Sequence, residues 1–262
     1  MKNLVFHSIS FFILLLSCEK DAVDSRKVQN SDIPLIVSEM YEEDLGWRYT
    51  YNKWNLPDEV RTKWSYQKFY YDGENRITRY DMYEDQGIYS SNWETADAAL
   101  HRTTWVSPEN SLKSLVVKYE YTDDALSQKV YMPQSLDVSR YYIYGYSTDK
   151  TGWITRETSD DGYAEYVYDE AGNMKERRQY FNGKLITLKK YTYDDHPNPF
   201  IVFKCTAIPG RYTNANNILT ETQITYDNEG AVETELTETY SYQYNPAGYP
   251  VKRNDGVIYE YR

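Results

Sequence analysis

Tyr166-Val167-Tyr168-Asp169-Glu170-Ala171-Gly172-Asn173, followed by Met174 to Phe181, then Asn182-Gly183, then Lys184 to Tyr193-Asp194, holds two kinds of turn and the strands between them. Asp169-Glu170-Ala171-Gly172 has the residues of a type I turn: Asp accepts a backbone bond at the first position, and Gly tolerates positive φ at the fourth. Asn182-Gly183, flanked by alternating segments, is the strongest short-range hairpin signal. The stretch therefore predicts that Met174–Phe181 pairs with Lys184–Tyr193. Tyr and Thr suit a half-buried pleat, and residues two apart share a face, so Tyr191 and Tyr193 point the same way.

The same unit recurs outward from this stretch. Its core is an aromatic residue (once Ile), any residue, Tyr, then Asp or Asn. Copies are Tyr49-Thr50-Tyr51-Asn52, Phe69-Tyr70-Tyr71-Asp72, Ile224-Thr225-Tyr226-Asp227 and Tyr242-Gln243-Tyr244-Asn245. Tyr119-Glu120-Tyr121-Thr122 and Tyr142-Ile143-Tyr144-Gly145 lack the Asp, and Tyr259-Glu260-Tyr261 is a final half copy. Apart from the step between Tyr71 and Tyr121, copies lie roughly 17 to 33 residues apart, room for two strands and two turns. Asn55 and Asn75 stand where Gly stands elsewhere, and Asn is the next-best residue for a left-handed backbone. Asp161-Gly162 and Asp255-Gly256 read as further hairpin turns, the first joining Trp153–Ser159 to Tyr163–Tyr168. Two turn types in alternation predict an all-β chain, an antiparallel up-and-down meander.

Two stretches interrupt the repeat. Tyr83 to Lys113 includes Asn92 to Leu100, where a short helix is expected to begin near Trp93 or Thr95. Thr206 to Asn217, with Pro209-Gly210, is expected to be an irregular excursion from a sheet edge or rim. Long loops carry function more often than strands do. Trp93 and Trp105 flank the first interruption and are the ligand-binding candidates, as aromatic faces able to stack on sugar rings. Most of the 30 tyrosines are expected to hold strands together, at about 0.2–1 kcal/mol per cross-strand pair. Trp47, Trp54 and Trp64 lie close to strands and are assigned to the core.

The N-terminus carries an address. Lys2 precedes a mostly apolar run from Leu4 to Leu16, too short for a membrane span of about 20 apolar residues, so it reads as a signal-peptide core. Leu15-Leu16-Ser17-Cys18 resembles a bacterial lipobox, which makes Cys18 the lipidation site. Acyl chains add about 0.8 kcal/mol per buried methylene, so two or three of them anchor a protein durably. Residues 1–17 are then a leader, 18–32 a lipidated polar tether, and 33–262 a single β-repeat domain. Glu19-Lys20-Asp21 resembles the surface-export signal of Bacteroidetes lipoproteins, which implies an outer-membrane address on the cell surface or the periplasmic face. Cys205, the other cysteine, follows Phe200-Ile201-Val202-Phe203-Lys204; strand alternation would bury it beside Ile201 and Phe203.

The Tyr-Asp units resemble the YD repeats of RHS-type and teneurin-type proteins. Together with the lipobox they resemble Bacteroidetes lipoproteins of the DUF4595 type, described as porin-like, over about Tyr49 to Arg262. That resemblance implies a rolled or barrel-like antiparallel sheet and carries no catalytic residues to transfer. A bilayer-spanning barrel needs an uninterrupted apolar outer band. Met174–Tyr180 instead carries charge on both faces, so a soluble domain tethered by lipid is expected.

The chemistry follows from what the composition offers. A net charge of −11 disfavours nucleic acid as partner, since phosphate neutralisation needs a basic face. Three histidines and two cysteines exclude a His-rich or Cys-rich metal centre. His101 and His196 do not suggest a relay, and no nucleophile elbow or phosphate loop is present. The expectation is a non-enzymatic, membrane-anchored envelope lipoprotein without metal or cofactor that binds a glycan or envelope protein. The rival readings are a purely structural envelope component and a polysaccharide hydrolase.

Overall fold

The computed structural model describes residues 34–42, 45–85, 105–121, 126–131, 141–149, 153–206 and 209–262. Cys18, Trp93, His101 and the expected helix at Asn92–Leu100 lie outside them. The first strands are β1 (Ile36–Glu42), β2 (Leu45–Tyr51), β3 (Pro57–Arg61), β4 (Ser65–Tyr71), β5 (Ile77–Glu84) and β6 (Leu112–Tyr121). Next come β7 (Leu126–Tyr131), β8 (Tyr141–Thr148), β9 (Ile154–Ser159), β10 (Gly162–Tyr168), β11 (Met174–Phe181) and β12 (Lys184–Pro197). The last are β13 (Asn216–Tyr226), β14 (Val232–Thr239), β15 (Tyr242–Tyr244), β16 (Pro250–Arg253) and β17 (Ile258–Tyr261). All pairings are antiparallel within one 17-stranded sheet, a meander in chain order. β11 has the bounds expected from sequence.

The repeat is a physical module. In five copies the Asp or Asn side chain caps its own turn: Asn52 Oδ1 accepts from the amides of Trp54 and Leu56. Asp72 does the same for Glu74 and Arg76, Asp169 for Ala171 and Asn173, Asp227 for Glu229 and Ala231, and Asn245 for Ala247 and Tyr249. The fourth turn residue sits at positive φ, 59° at Asn55 and 88° at Gly172. At Tyr193-Asp194 β12 instead runs on to Pro197, and Asp149, outside the named copies, serves in the same way, its Oδ1 accepting from the Trp153 amide. β8 therefore runs past the Tyr144-Gly145 copy before turning.

Tyrosines near the strand ends tether neighbouring strands, although Tyr244, before the Asn245 turn, bonds Asp194 instead. Tyr51 donates to the Ile36 carbonyl at 2.6 Å, Tyr71 to Pro57 at 2.6 Å, Tyr121 to Ile77 at 2.8 Å, and Tyr168 to Ile154 at 2.7 Å. Tyr193 donates to Met174, Tyr242 to Ile218 and Tyr261 to Pro250 in the same manner. Ladder registers shift beside Tyr51, Tyr71, Tyr168 and Tyr193, and such bulges re-aim a side chain. Burial lifts the phenol pKa of Tyr168, Tyr193 and Tyr261 above the ordinary value, and that of Tyr242 to about 12, so these hydroxyls remain donors at neutral pH. Replacing Tyr71 with Phe removes one such bond and leaves the ring; we expect a loss of about 1 kcal/mol in urea unfolding. A change below about 0.3 kcal/mol would show that this tether contributes nothing net.

One hairpin turn is as expected and two others differ. Asn182 (φ 49°) and Gly183 (φ 76°) form the two-residue hairpin turn. The β9–β10 loop is Asp160-Asp161, one residue earlier than Asp161-Gly162, because Ser159 pairs with Gly162. At Asp255-Gly256 the chain makes a four-residue turn from Arg253 to Gly256, with Arg253 in the place of Asp: the Arg253 amide donates to the Val257 carbonyl, and the Gly256 amide donates to the Arg253 carbonyl.

β1 pairs with both β2 and β17, so the first and last strands are neighbours and the sheet is rolled. It is not closed into a barrel. β14 pairs only with β13, and β15 only with β16, among the described residues. Tyr240 and Ser241 join β14 to β15 without a turn. The Tyr240 amide bonds Leu219 on one side, whereas Ser241 and Asn254 bond on the other. One long strand thus changes partners part-way, and among the described residues its β14 half keeps a free edge.

The inner face carries Tyr49, Val60, Phe69, Tyr80, Val117, Val130, Tyr146 and Tyr166, all buried. The space inside is filled by the β12–β13 connection. Pro199–Thr206 is a 3-10 helix rather than a strand, so the alternation argued for Cys205 does not apply. Phe200 and Phe203 from this helix pack edge-on against Tyr49, and Phe200 also packs edge-on against Tyr259 and Tyr212. The expected excursion at Thr206–Asn217 is in its described part an inward plug, because Tyr212 packs on Phe200 and Phe203 inside the roll. Trp47 packs against the core, whereas Trp54 is 48% exposed in its turn beneath Lys53, contrary to the core assignment.

Candidate functional site

Trp105 is held on the outer surface. The Arg48 guanidinium lies 4.2 Å and the Lys63 ammonium 5.1 Å from the centre of its ring, and Asn110 donates to its carbonyl. Arg48 and Lys63 are strand and turn residues, so the sheet itself supplies the cations that meet this aromatic face.

Two other features were not singled out by the sequence. The first is a polar strip on the inner face from β9 to β13. Tyr166 donates to Glu157 at 2.8 Å, Arg177 to Gln179 at 3.1 Å, and Lys189 to Glu221 at 2.5 Å. Register places these groups side by side: Ala164 faces Glu157, Tyr166 faces Arg177, Arg177 faces Lys189, and Tyr191 faces Glu221. Arg177-Arg178-Gln179 puts polar side chains on both faces of the strand, and only register shows which of them turn inward. At one rim an open cleft of about 530 Å³ lies beside the strip, lined by Asp169, Asn173, Lys175, Tyr191, Tyr193 and Asp194. Phenol, amide, ammonium and carboxylate groups in one concave surface offer both donors and acceptors to a hydroxyl-rich ligand. Asp194 is already engaged by Asn217 and by Tyr244, whose ring stacks on His196 at 3.8 Å.

The second feature is β14. All of its residues are exposed, including Val232 at 57% and Leu236 at 66%. Among the described residues no group of three or more His, Cys, Asp or Glu side chains is gathered as a metal site.

No protein-family model matches the chain, and no curated protein matches it. Among solved structures, the chain is similar to a porin-like protein from Bacteroides uniformis at 13% identity and a TM-score of 0.40, covering 88% of this chain and 96% of that one. It is also similar to a chain of the Photorhabdus luminescens Tc holotoxin pore, at 11% identity and a TM-score of 0.23. That match covers 83% of this chain and 12% of the toxin chain.

Proposed function

We propose that the protein is a non-enzymatic lipoprotein of the bacterial envelope, of the DUF4595 type, anchored to the outer membrane through Cys18, and that its rolled sheet holds a glycan or protein partner. The observation that carries this reading is the leader: an apolar run ending Leu15-Leu16-Ser17-Cys18, then a polar stretch before β1 begins at Ile36. The non-enzymatic part is supported by where the repeated carboxylates and phenols go. The Asp residues accept turn amides and the tyrosines tether strands, so both are engaged with backbone. The cleft beside Tyr191 favours a hydroxyl-rich ligand, and the free edge of β14 favours a polypeptide.

Membrane fractionation of cells making the full chain or its Cys18→Ala variant tests the anchor. The variant is expected in the soluble fraction with its folded core intact by protease resistance. Equal membrane retention of both would end the lipoprotein reading.

A further inference from the structure

The free edge of β14 has a definite chemistry. Along the strand, amide and carbonyl groups alternate between its two sides. Tyr240 donates to Leu219 on the β13 side, and the Thr239 carbonyl accepts from Asn254 on the other. By that alternation Glu235 and Thr237 direct their backbone groups to the open side, where β14 has no ladder partner among the described residues. Antiparallel sheets extend by adding strands at such edges, with main-chain bonds providing affinity and alternate side chains providing selectivity.

The side chains define what fits. β14 reads Val-Glu-Thr-Glu-Leu-Thr-Glu-Thr and β13 Asn-Asn-Ile-Leu-Thr-Glu-Thr-Gln-Ile-Thr-Tyr, neither with a Lys or Arg. On β12, Lys189 is paired with Glu221. Glu235 faces Ile224 on the outer side of the sheet, and Leu236 faces Gln223 on the inner side. Glu233 sits at the register shift between Thr225 and Tyr226. A second copy of this edge paired antiparallel about Glu235 is disfavoured: it sets Glu235 against its own counterpart, and like charges directly opposed are destabilising.

We propose that the free edge of β14 receives an extended basic segment of a partner protein, with Lys or Arg at alternate positions beside Glu235 and small or β-branched apolar residues beside Leu236. This rests on the partner-binding reading above and specifies the partner.

Fluorescence anisotropy of the full chain in mild detergent tests the proposal, with a labelled Lys-Val-Lys-Thr-Arg-Val-Lys-Thr peptide and a counterpart carrying Glu at each basic position. Saturable binding of the basic peptide is expected, with the acidic one about tenfold weaker or more. Thr237→Pro removes an outward amide while sparing the β13 ladder, since Pro is tolerated on an open edge, and is expected to weaken binding about tenfold. Glu233→Lys with Glu235→Lys is expected to reverse the preference between the two peptides. Hydrogen exchange at Glu235 and Thr237 is expected to slow on binding.

Equal binding of both peptides, binding indifferent to Thr237→Pro and to the charge reversal, or self-association of the chain through β14 would each overturn it. None of these results depends on membrane retention, so this proposal and the anchor fail separately.

Discussion

Arg211→Met is expected to destabilise the protein by about 3–5 kcal/mol, because it leaves a carboxylate buried without its partner. The Glu39 side chain has no exposed surface and accepts a hydrogen bond from the Arg211 guanidinium, which is itself three-quarters covered. Tyr49 reaches the same carboxylate oxygen at 3.5 Å, while Glu39 Oε1 has no hydrogen-bond partner among the described residues. Burial opposes the charge on Arg211, but Glu39 and the surrounding tyrosines outweigh it and hold the guanidinium well above its ordinary pKa. The guanidinium also lies 4.0 Å over the Phe200 ring, and Asn198 donates to the Arg211 carbonyl. Methionine keeps the apolar stem over Phe200, so the cost isolates the lost charge. Adding Glu39→Gln is expected to recover most of it, since a neutral amide is far cheaper to bury than an unpaired carboxylate. Urea unfolding of the single and double variants gives both values. A single variant within about 1 kcal/mol of wild type would mean that the plug is not locked to the wall through this pair.

Phe203→Ala should cost about 3–5 kcal/mol, the range for emptying a large aromatic site in a packed core. The ring is 1% exposed and lies 5.2 Å from the Tyr49 ring, 6.0 Å from Tyr51 and 5.4 Å from Tyr212. It therefore joins the plug to β2. Phe181→Ala is the control, because Phe181 is 47% exposed at a hairpin end and its removal should stay within about 0.5 kcal/mol. Comparable losses at the two positions would contradict an interior filled by the β12–β13 connection.

Much of the architecture was legible because the turns are local. Asn182-Gly183 needs positive φ at both residues, and Asp169 caps amides only two and four residues ahead. Such preferences act within a few residues and so can be read without knowing the tertiary context. The structural role of the tyrosines was also legible in kind, since most of those described lie on strands. Their common bond to a carbonyl of a neighbouring strand was not, because it depends on which strands pair and in what register.

The sites were less legible. The plug was hidden because Phe200-Ile201-Val202-Phe203 reads equally as a buried strand or a helix turn, an ambiguity that short apolar runs always carry. Trp54 misled because proximity to a strand says nothing about which turn residues face solvent. The polar strip from Glu157 to Glu221 joins residues far apart in the chain, and only cross-strand register makes them neighbours. The edge of β14 was invisible for the same reason: its Thr-Glu alternation resembles that of any half-exposed strand.

Hydrogen-bonding preferences of single residues and period-two patterning were enough to dictate an antiparallel meander and the positions of most of its turns. Which strands meet across the roll, where the wall stays open and what occupies the interior depended on contacts between distant segments. Those contacts arise when apolar side chains such as Phe203 compete for the same enclosed volume. That competition is settled by packing in three dimensions, and linear order leaves no trace of it.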